Sequence, residues 1–356
     1  MTIRENVALA PLTTLRVGGA ARYFAESRSE DEVREAVAFA KSRELPLFVL
    51  GGGSNLVISD SGWPGLVLKI AIGGIVSPTM QNATGSSRRF SVGAGVGWDD
   101  LAAFAVSQNC AGIECLSGIP GSAGGTPVQN VGAYGQEVAE TIESVRALDM
   151  QENRIVTLPN PACGFRYRSS IFNRVGQDGE RGRYIILQVT FRLRRGGAPC
   201  LKYADLQKWF AERTGVPSLM EVREAVREIR RSKGMLIVSG DADGRSVGSF
   251  FKNPVLSEEE VRGLTARAEA RGLSVPSYPT LEAQHKVSAA WLVEHSGFGK
   301  GFRMGRAGIS SKHALALINP GDAEAVDIVA LKEAIQRGVE ENWGVRLETE
   351  PVFVGF

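Results

Sequence analysis

The sequence lacks any apolar run long enough to cross a membrane. No stretch approaches the roughly 18 to 20 apolar residues of a membrane span, and the first residues, MTIRENVALAPLTTLRVGG, contain no apolar block or cleavage site of a signal peptide. An excess of charge is also missing, since 41 Lys and Arg residues stand against 39 Asp and Glu residues. The net charge of +2 argues against nucleic acid or an acidic membrane as the main partner. We therefore expect a cytoplasmic protein that meets any anion through local contacts.

Cysteine and histidine are scarce, and their spacing excludes the usual metal sites. No CxxC pair occurs, so we expect reduced, buried thiols rather than a metal or disulfide role. The histidines lack the close spacing of a helical zinc pair, so no catalytic metal is expected. The residues concerned are Cys110, Cys115, Cys163, Cys200, His285, His295 and His313.

Glycine is abundant, with 42 of 356 residues. Two clusters stand out: GGGSN at 51–55 and the nearly uncharged GIPGSAGGTPVQNVGAYGQEV at 118–138. Bare backbone of this kind lets a ligand approach main-chain amides closely. Together with nearby hydroxyls and side-chain amides, the clusters predict a site for a ligand with a diphosphate and a flat polar ring. Those polar residues are Ser54, Asn55, Ser122, Thr126, Gln129 and Asn130.

The local patterns place these clusters between strands. Residues 29–42 predict a surface helix that begins with a Ser29–Glu32 capping box. Strands are predicted at 45–50 and 56–60, on both sides of GGGSN, whereas a doubly wound dinucleotide fold needs glycines between a strand and a helix. The segment 90–108 does run from strand to helix, and the amides of Gly93 to Gly97 are candidates for an anion seat.

The second half of the chain alternates strands and helices. A strand is predicted at 183–193, a helix at 220–233 with an apolar face formed by Val222, Ala225, Val226 and Ile229, and a strand within 344–356. The polar stretch 239–249 predicts a mobile loop near a domain boundary. PGSAGG is not the nucleophile elbow of a serine hydrolase, because Pro120 occupies the position that requires glycine.

Seven segments in a fixed order carry a family resemblance. The chain resembles the UDP-N-acetylenolpyruvoylglucosamine reductases, in the longer subclass with a sugar-covering tyrosine. The resemblance implies an α+β fold: a two-lobed FAD-binding domain of the vanillyl-alcohol-oxidase (PCMH) type, at 1–73 and 74–234, a C-terminal α/β substrate-binding domain at 235–344, and a returning strand at 345–356. The segments are TTLRVGGAARYF (13–24), VLGGGSNLVISD (49–60), the stretch 118–138, CGFRYRSSIF (163–172), GSFFKNP (248–254), KVSAAWLVEHSGFGKG (286–301) and LETEPVFVG (347–355).

The implied cofactor is noncovalent FAD, which suits a chain with no histidine before His285 to carry a covalent flavin bond. The implied reaction is NADPH-dependent reduction of a UDP-sugar enolpyruvyl ether, a cytoplasmic step of peptidoglycan synthesis, by a monomer. The implied FAD-binding residues are Gly51, Gly52, Gly53, Ser54, Asn55, Gly118, Pro120, Gly121, Ser122, Gly124, Thr126, Gln129, Asn130, Gly132, Ala133 and Tyr134.

Three residues match the catalytic positions of the family. Arg168 would hold the substrate carboxylate, with Arg166 as the alternative if the segment is extended. Ser249 would donate the proton. Glu350 would be the third catalytic residue, with Glu348 as the alternative.

Four residues match substrate contacts. Tyr203 would cover the nucleotide sugar, Lys233 and Asn253 would contact the diphosphate, and Lys286 would face the uracil end or, alternatively, solvent. The same glycine pattern would also suit an FAD oxidase that uses oxygen, or a noncatalytic flavin or sugar-nucleotide binder. The catalytic trio favours the reductase over both alternatives.

Overall fold

A computed structural model describes residues 1–77, 86–175, 180–280 and 284–356. The chain divides into two compact units. The first unit comprises Met1–Val7, Ala21–Gly53 and Pro64–Arg231, and the second comprises Ala8–Ala20, Ser54–Trp63 and Ser232–Phe356. Both units mix helices and strands.

The elements are numbered in chain order. The strands are Ile3–Ala8 (β1), Ala20–Ser27 (β2), Leu47–Leu50 (β3), Leu56–Ile58 (β4), Trp63–Ile70 (β5), Ile75–Val76 (β6), Ser87–Gly93 (β7), Cys110–Ala111 (β8), Gly132–Ala133 (β9), Gln136–Glu137 (β10), Ile142–Asp149 (β11), Arg154–Pro159 (β12), Tyr184–Arg195 (β13), Val255–Ser257 (β14), Ser277–Pro279 (β15), Gln284–Val287 (β16), Arg303–Met304 (β17), Ala307–Ile309 (β18), Leu317–Ile318 (β19) and Val352–Val354 (β20). The helices are Glu30–Ser42 (α1), Trp98–Ser107 (α2), Ala204–Trp209 (α3), Leu219–Ser232 (α4), Glu258–Glu269 (α5), Ala289–Glu294 (α6) and Ala325–Trp343 (α7).

The first unit contains two larger sheets. One has the strand order β1-β2-β5-β3, and the other has the order β12-β11-β13-β7-β6, with β8 also paired to β13. In the second sheet Phe191 lies opposite Phe90, and both side chains are fully buried with Trp98 of α2 in one apolar core. Ala123 of the glycine-rich stretch 118–138 is buried in the same core, which anchors this stretch to the sheet.

The predicted surface helices of the first unit are confirmed. α1 begins where Ser29 accepts a hydrogen bond from the Glu32 amide, while the Glu32 carboxylate accepts from the amide of Arg28 rather than Ser29. α4 begins at a reciprocal pair between Ser218 and Glu221. Such caps satisfy amides that have no partner within the first helical turn. The four apolar residues predicted to face the core from α4, Val222, Ala225, Val226 and Ile229, are all buried.

The prediction of an anion seat at the amides of Gly93 to Gly97 is wrong for the first four of these amides. The amides of Gly93, Ala94, Gly95 and Val96 already donate to the carbonyls of Gly74, Leu187, Ile72 and Gly93, at 2.8 to 3.0 Å. These backbone donors are used to join β7 to its neighbours, so they are not available to a ligand.

The second unit packs three small sheets with α5, α6 and α7. The sheets have the orders β14-β16-β15, β17-β18-β19 and β20-β4. Its core contains the fully buried Phe250, Phe251 and Trp343. The segments Ala8–Ala20 and Ser54–Trp63 belong to this unit because Leu15, Val17 and Val57 are buried in the same core.

The polar stretch 239–249 is tied down rather than loose. Lys312 Nζ lies 2.6 Å from the Asp241 carboxylate, and the Ser311 amide donates to Asp243 at 3.0 Å. The predicted mobile loop is therefore fixed to the segment that follows β18. Cys110, Cys115 and Cys163 are buried as predicted, whereas Cys200 is only half-buried. Within the described ranges, no helix combines the length and the apolar character of a membrane span.

Candidate functional site

Within the first unit, the glycines at 51–53 lie directly against the second glycine cluster, at 118–138. A Cβ atom added to Gly52 would lie 2.5 Å from Gly121 Cα and 2.8 Å from the Ser122 amide nitrogen. A Cβ on Gly124 would likewise lie 2.5 Å from the Cβ of Ala94. Glycine is thus required at these positions partly because the loops pack closely against each other, and not only to let a ligand approach the backbone. Gly118 and Gly121 also have φ of +73° and +125°, which side chains rarely adopt.

Ser122 has a buried hydroxyl beside these glycines. Ser122 is 7% exposed, and its Oγ has no hydrogen-bond partner among the residues that the structure describes. A Cβ on Gly51 would lie 3.0 Å from this oxygen, so the hydroxyl lies over the first glycine cluster. Buried hydroxyls are normally hydrogen-bonded, so this one indicates a polar ligand at the junction of the two clusters.

The amide of Asn130 is used within the protein. Its Nδ2 donates to Glu137 at 2.8 Å and to the carbonyl of Arg166 at 3.1 Å, and its Oδ1 accepts from the Ala139 amide at 3.1 Å. Asn130 has a φ of +45° and is 1% exposed. It therefore fixes the path of the glycine-rich stretch, and its backbone is what remains to face a ligand.

Arg168 lies at the corner of a tight turn, not in an extended strand. The amides and carbonyls of Arg166 and Ser169 hydrogen-bond to each other at 2.8 and 3.0 Å, and Arg168 has a φ of +52°. Its carbonyl accepts from Asn173 Nδ2 at 3.2 Å. A Cβ on Gly132 would lie 3.3 Å from an Arg168 guanidinium nitrogen, so this guanidinium rests on the glycine-rich stretch.

The turn separates Arg168 from Arg166. Arg166 is exposed, whereas Arg168 is half-buried. The alternative assignment depended on an extended segment with both side chains on one face, and the turn removes that condition.

Tyr134 and Tyr203 form a second cluster in the first unit. Their rings contact edge to face with centroids 5.2 Å apart, and Tyr203 is 42% exposed whereas Tyr134 is 8% exposed. Arg230 of α4, itself 7% exposed, is hydrogen-bonded to Tyr134, and burial lowers the pKa of Arg230. Sequence reasoning missed Arg230, although its place three residues before Lys233 on a basic helix was a possible signal.

Ser249 of the second unit follows a sharp turn. Gly248 has a φ of +77°, and its amide donates to Ser246 Oγ at 3.3 Å. The next residue, Phe250, is fully buried, and its amide donates to the carbonyl of Leu315 at 2.8 Å. Ser249 is half-buried between these two anchors.

Glu350 is held against the segment that carries Ser249. The Glu350 amide donates to the Phe250 carbonyl at 2.9 Å, and the Glu350 carbonyl accepts from Asn55 Nδ2 at 3.2 Å. Val352, at the start of β20, donates its amide to the carbonyl of Asn55 at 3.0 Å. Asn55 and Glu350 both belong to the second unit, so these contacts fix the peptide unit of Glu350 within that unit.

Glu348 faces a different environment. Its carboxylate lies 3.2 Å from Lys252 Nζ, and its side chain is 76% exposed. The amide of Lys252 also donates to the carbonyl of Glu348 at 2.9 Å. The ion pair occupies both of these side chains, whereas Glu350 is half-buried.

Asn253 and Lys286 lie beside the same region of the second unit. Asn253 Oδ1 accepts from the Ala289 amide at the start of α6, at 2.9 Å, which turns its Nδ2 donor away from the helix. Lys286 lies in β16 between Val255 and Tyr278 of the flanking strands. Tyr278 is 63% exposed, so this surface is partly aromatic.

Lys233 belongs to a cationic group that sequence reasoning missed in part. His313 Nδ1 accepts a hydrogen bond from the Leu315 amide at 3.0 Å. An imidazole that accepts at Nδ1 is neutral and carries its proton on Nε2, which can donate. Burial, followed by the positive charges of Lys233 and Lys300, lowers the pKa of His313 to about 4. Because these residues are far apart in the chain, only the fold could show that they converge.

Family profiles match both halves of the chain. The FAD binding domain profile matches residues 21–158. The profile of the UDP-N-acetylenolpyruvoylglucosamine reductase C-terminal domain matches residues 240–354. The first range contains both glycine clusters, and the second contains Ser249, Asn253, Lys286 and Glu350.

Relatives that match over nearly the whole chain are named UDP-N-acetylenolpyruvoylglucosamine reductase. The chain is 42% identical over 357 residues to UDP-N-acetylenolpyruvoylglucosamine reductase of Thermobifida fusca, covering 99% of this chain and 98% of the relative. It is 44% identical over 358 residues to that of Streptomyces avermitilis, covering 99% and 94%. The crystal structure of UDP-N-acetylenolpyruvylglucosamine reductase from Thermus caldophilus matches with a TM-score of 0.66 and 25% identity, covering 99% of this chain and 100% of that one.

These matches confirm the predicted fold class and cofactor. The fold is α+β with an FAD-binding domain, and the chain is a flavoprotein oxidoreductase. The buried Ser122 hydroxyl fits such a cofactor, because it offers a polar contact that no described residue takes up, beside the closely packed glycines. The chain belongs to the UDP-N-acetylenolpyruvoylglucosamine reductase family.

Proposed function

We propose that this protein reduces UDP-N-acetylglucosamine enolpyruvate to UDP-N-acetylmuramate with electrons from NADPH, as a cytoplasmic step of peptidoglycan synthesis. The observation that carries the proposal is the pairing of Glu350 with Phe250, the neighbour of Ser249, at 2.9 Å. This pairing brings a carboxyl group and a hydroxyl group of the catalytic motifs onto adjacent backbone segments. In this proposal the lobes at 1–73 and 74–234 hold FAD, and 235–344 with the strand at 345–356 binds the substrate.

The chemistry sets three requirements. Bound FAD, once reduced by NADPH, supplies the hydride that reaches the terminal carbon of the enol ether. The protein must then stabilise the negative charge that develops toward the substrate carboxylate, and it must deliver a proton to the adjacent carbon.

Arg168 is the residue that would stabilise the developing negative charge. Its guanidinium can hold a carboxylate through two parallel hydrogen bonds, which a lysine cannot do. Its place on Gly132 puts this fork at the glycine-rich stretch that we assign to FAD. The charge that develops on the substrate would be met by a positive group already in position.

Ser249 is the proposed proton donor. A serine hydroxyl is a weak acid, so it transfers its proton only to a strongly basic, carbanion-like centre and must be reprotonated afterwards. Lys252 lies in an ion pair with Glu348, which makes solvent water the better source of the replacement proton.

Glu350 is the third proposed catalytic residue. An ionised glutamate facing the substrate carboxylate would repel it, so we propose that Glu350 holds or shares a proton when the substrate is bound. The backbone contacts of Glu350 to Phe250 and Asn55 fix its position on both sides.

The nucleotide diphosphate would be bound by the second unit. Lys233, Lys300 and His313 supply two positive charges and a ring N–H donor, and the Nδ2 of Asn253 supplies another donor. Lys286 is assigned to the uracil end. Tyr203 of the first unit, which is 42% exposed, has an aromatic face that can cover the sugar.

The product distinguishes this function from its alternatives. Under anaerobic conditions, NADPH and the enolpyruvyl nucleotide should give a nucleotide that is heavier by two hydrogen atoms, as measured by mass spectrometry. An FAD oxidase of the same fold would instead leave the nucleotide unchanged, and its reduced flavin would be reoxidised only after oxygen is admitted. A noncatalytic binder would change neither substrate, so either result would overturn the proposal.

A further inference from the structure

The hydroxyl of Thr14 reaches the turn that presents Ser249. Thr14 Oγ1 donates to the carbonyl of Ser246 at 2.6 Å, although the two residues are 232 positions apart in the chain. Both residues belong to the second unit, and Ser246 is 6% exposed. A short O–H···O hydrogen bond in a partly buried place is well suited to fixing a backbone position.

Ser246 controls the geometry of the turn. Its Oγ accepts from the Gly248 amide at 3.3 Å, and its backbone pairs with Ile318 of β19. Only the short link through the left-handed Gly248 separates this anchored stretch from Ser249. A shift of Ser246 would therefore be passed on to the Ser249 hydroxyl.

Thr14 also lies next to the segment that holds Glu350. Its Oγ1 is 3.5 Å from the carbonyl of Ser54, and the next residue, Asn55, donates its side chain to the carbonyl of Glu350. The single proton of Thr14 goes to Ser246, at the shorter distance. The residue thus stands between the Ser249 turn and the segment that fixes Glu350.

We infer that Thr14 is a positioning residue for proton delivery, which acts through the Ser246 carbonyl to hold Ser249 at its working distance. The inference rests on the proposed function. Errors in placement of about 1 Å can lower a reaction rate on the order of 100-fold. Loss of the Thr14 hydroxyl should therefore slow the step that uses Ser249 and leave the reaction with NADPH unaffected.

The test compares Thr14→Val, which keeps the side-chain shape, with Thr14→Ser, which keeps the hydroxyl. The matched control is Thr13→Val, because Thr13 is buried and its hydroxyl bonds within its own segment: it donates to the Ala10 carbonyl at 3.1 Å and accepts from the Arg16 amide at 3.0 Å. The measurements are stopped-flow rates of flavin reduction by NADPH and of reoxidation by the enolpyruvyl nucleotide, with a solvent deuterium isotope effect on the second rate.

We expect Thr14→Val to lower the reoxidation rate about 10- to 100-fold with a larger isotope effect, and to leave flavin reduction within about twofold. Thr14→Ser should restore most of the rate, and Thr13→Val should keep the wild-type rates. A wild-type reoxidation rate in Thr14→Val, or an equal fall of both rates, would overturn the inference. Failure of the wild type to reoxidise with the nucleotide would instead contradict the proposed function.

Discussion

The amide of Glu350 donates to the carbonyl of Phe250 at 2.9 Å, and this hydrogen bond ties the C-terminal LETEP motif to the GSFFKNP motif. The two motifs are distant in the chain, yet their backbones are paired at Phe251 and Thr349 as well. Because these backbone contacts hold the two segments side by side, the relative placement of Ser249 and Glu350 is built into the second unit.

Glu350→Gln should lower the rate of enol ether reduction about 100-fold, because a carboxyl group that holds or shares a proton cannot be replaced by an amide. The matched variant is Glu348→Gln. Glu348 forms an exposed ion pair with Lys252, a type of contact that contributes little, so this variant should stay within about twofold of wild type. Single-turnover rates of enol ether reduction would compare the two variants. A larger loss in Glu348→Gln than in Glu350→Gln would assign the catalytic role to Glu348.

Arg168→Lys should reduce turnover about 100- to 1000-fold, since an ammonium group cannot reproduce the two-pronged hold on a carboxylate. Arg166→Lys is the control, because the Arg166 side chain is exposed and its turn contacts are made by the backbone. Steady-state kinetics with the enolpyruvyl nucleotide would measure both. Equal losses in the two variants would show that the turn, not the Arg168 guanidinium, is required.

Gly52→Ala should weaken FAD binding at least tenfold. The added methyl group would lie 2.5 Å from Gly121 Cα, and both loops would have to move apart, at a cost of about 1–3 kcal/mol. Gly73→Ala is the matched control, because a Cβ there meets no atom within 4 Å. Flavin fluorescence on dilution measures the affinity, and unchanged binding in Gly52→Ala would argue against a role for this junction.

His313 should make stability depend on pH. Its pKa is lowered to about 4 from 6.5, so the unfolded chain takes up a proton that the folded protein resists. Stability is therefore complete above about pH 6.5 and falls as the pH drops toward 4. Between pH 7.5 and 5 the loss should be about 2 kcal/mol.

Urea unfolding of the wild type and of His313→Gln at both pH values would measure this loss. The variant should lack the His313 contribution while it keeps the carboxylate effects, which set in at lower pH. For example, the Arg183 guanidinium lowers the pKa of Asp149 to about 2. Parallel pH curves for the two proteins would contradict the assignment to His313.

The elements defined by local patterns could be predicted from the sequence. α1 and α4 each carry a capping signal and a periodic apolar face, and both features depend only on residues a few positions apart. The placement of GGGSN between strands was likewise confirmed at β3 and β4. The functional motifs are also local, which is why the amino-acid sequence alone could suggest Arg168, Ser249 and Glu350.

Features that depend on distant contacts could not be predicted. The amides of Gly93 to Val96 are taken largely by carbonyls outside their own strand, and nothing in the local sequence indicates this. The turn at Arg168 differs from these, because its mutual hydrogen bonds join residues only three positions apart, Arg166 and Ser169, yet a strand-like alternation does not reveal them. His313 joins Lys233 and Lys300 only after the second unit has folded.

The most direct test of the central claim is an anaerobic visible spectrum of the wild type and of Ser249→Ala, with NADPH added first and the enolpyruvyl nucleotide second. The oxidised-flavin band should bleach in both proteins with NADPH, and it should return with the nucleotide in the wild type, whereas the variant should recover slower by roughly 100- to 10,000-fold. A wild-type protein that bleaches and recovers only when oxygen is admitted would contradict the account.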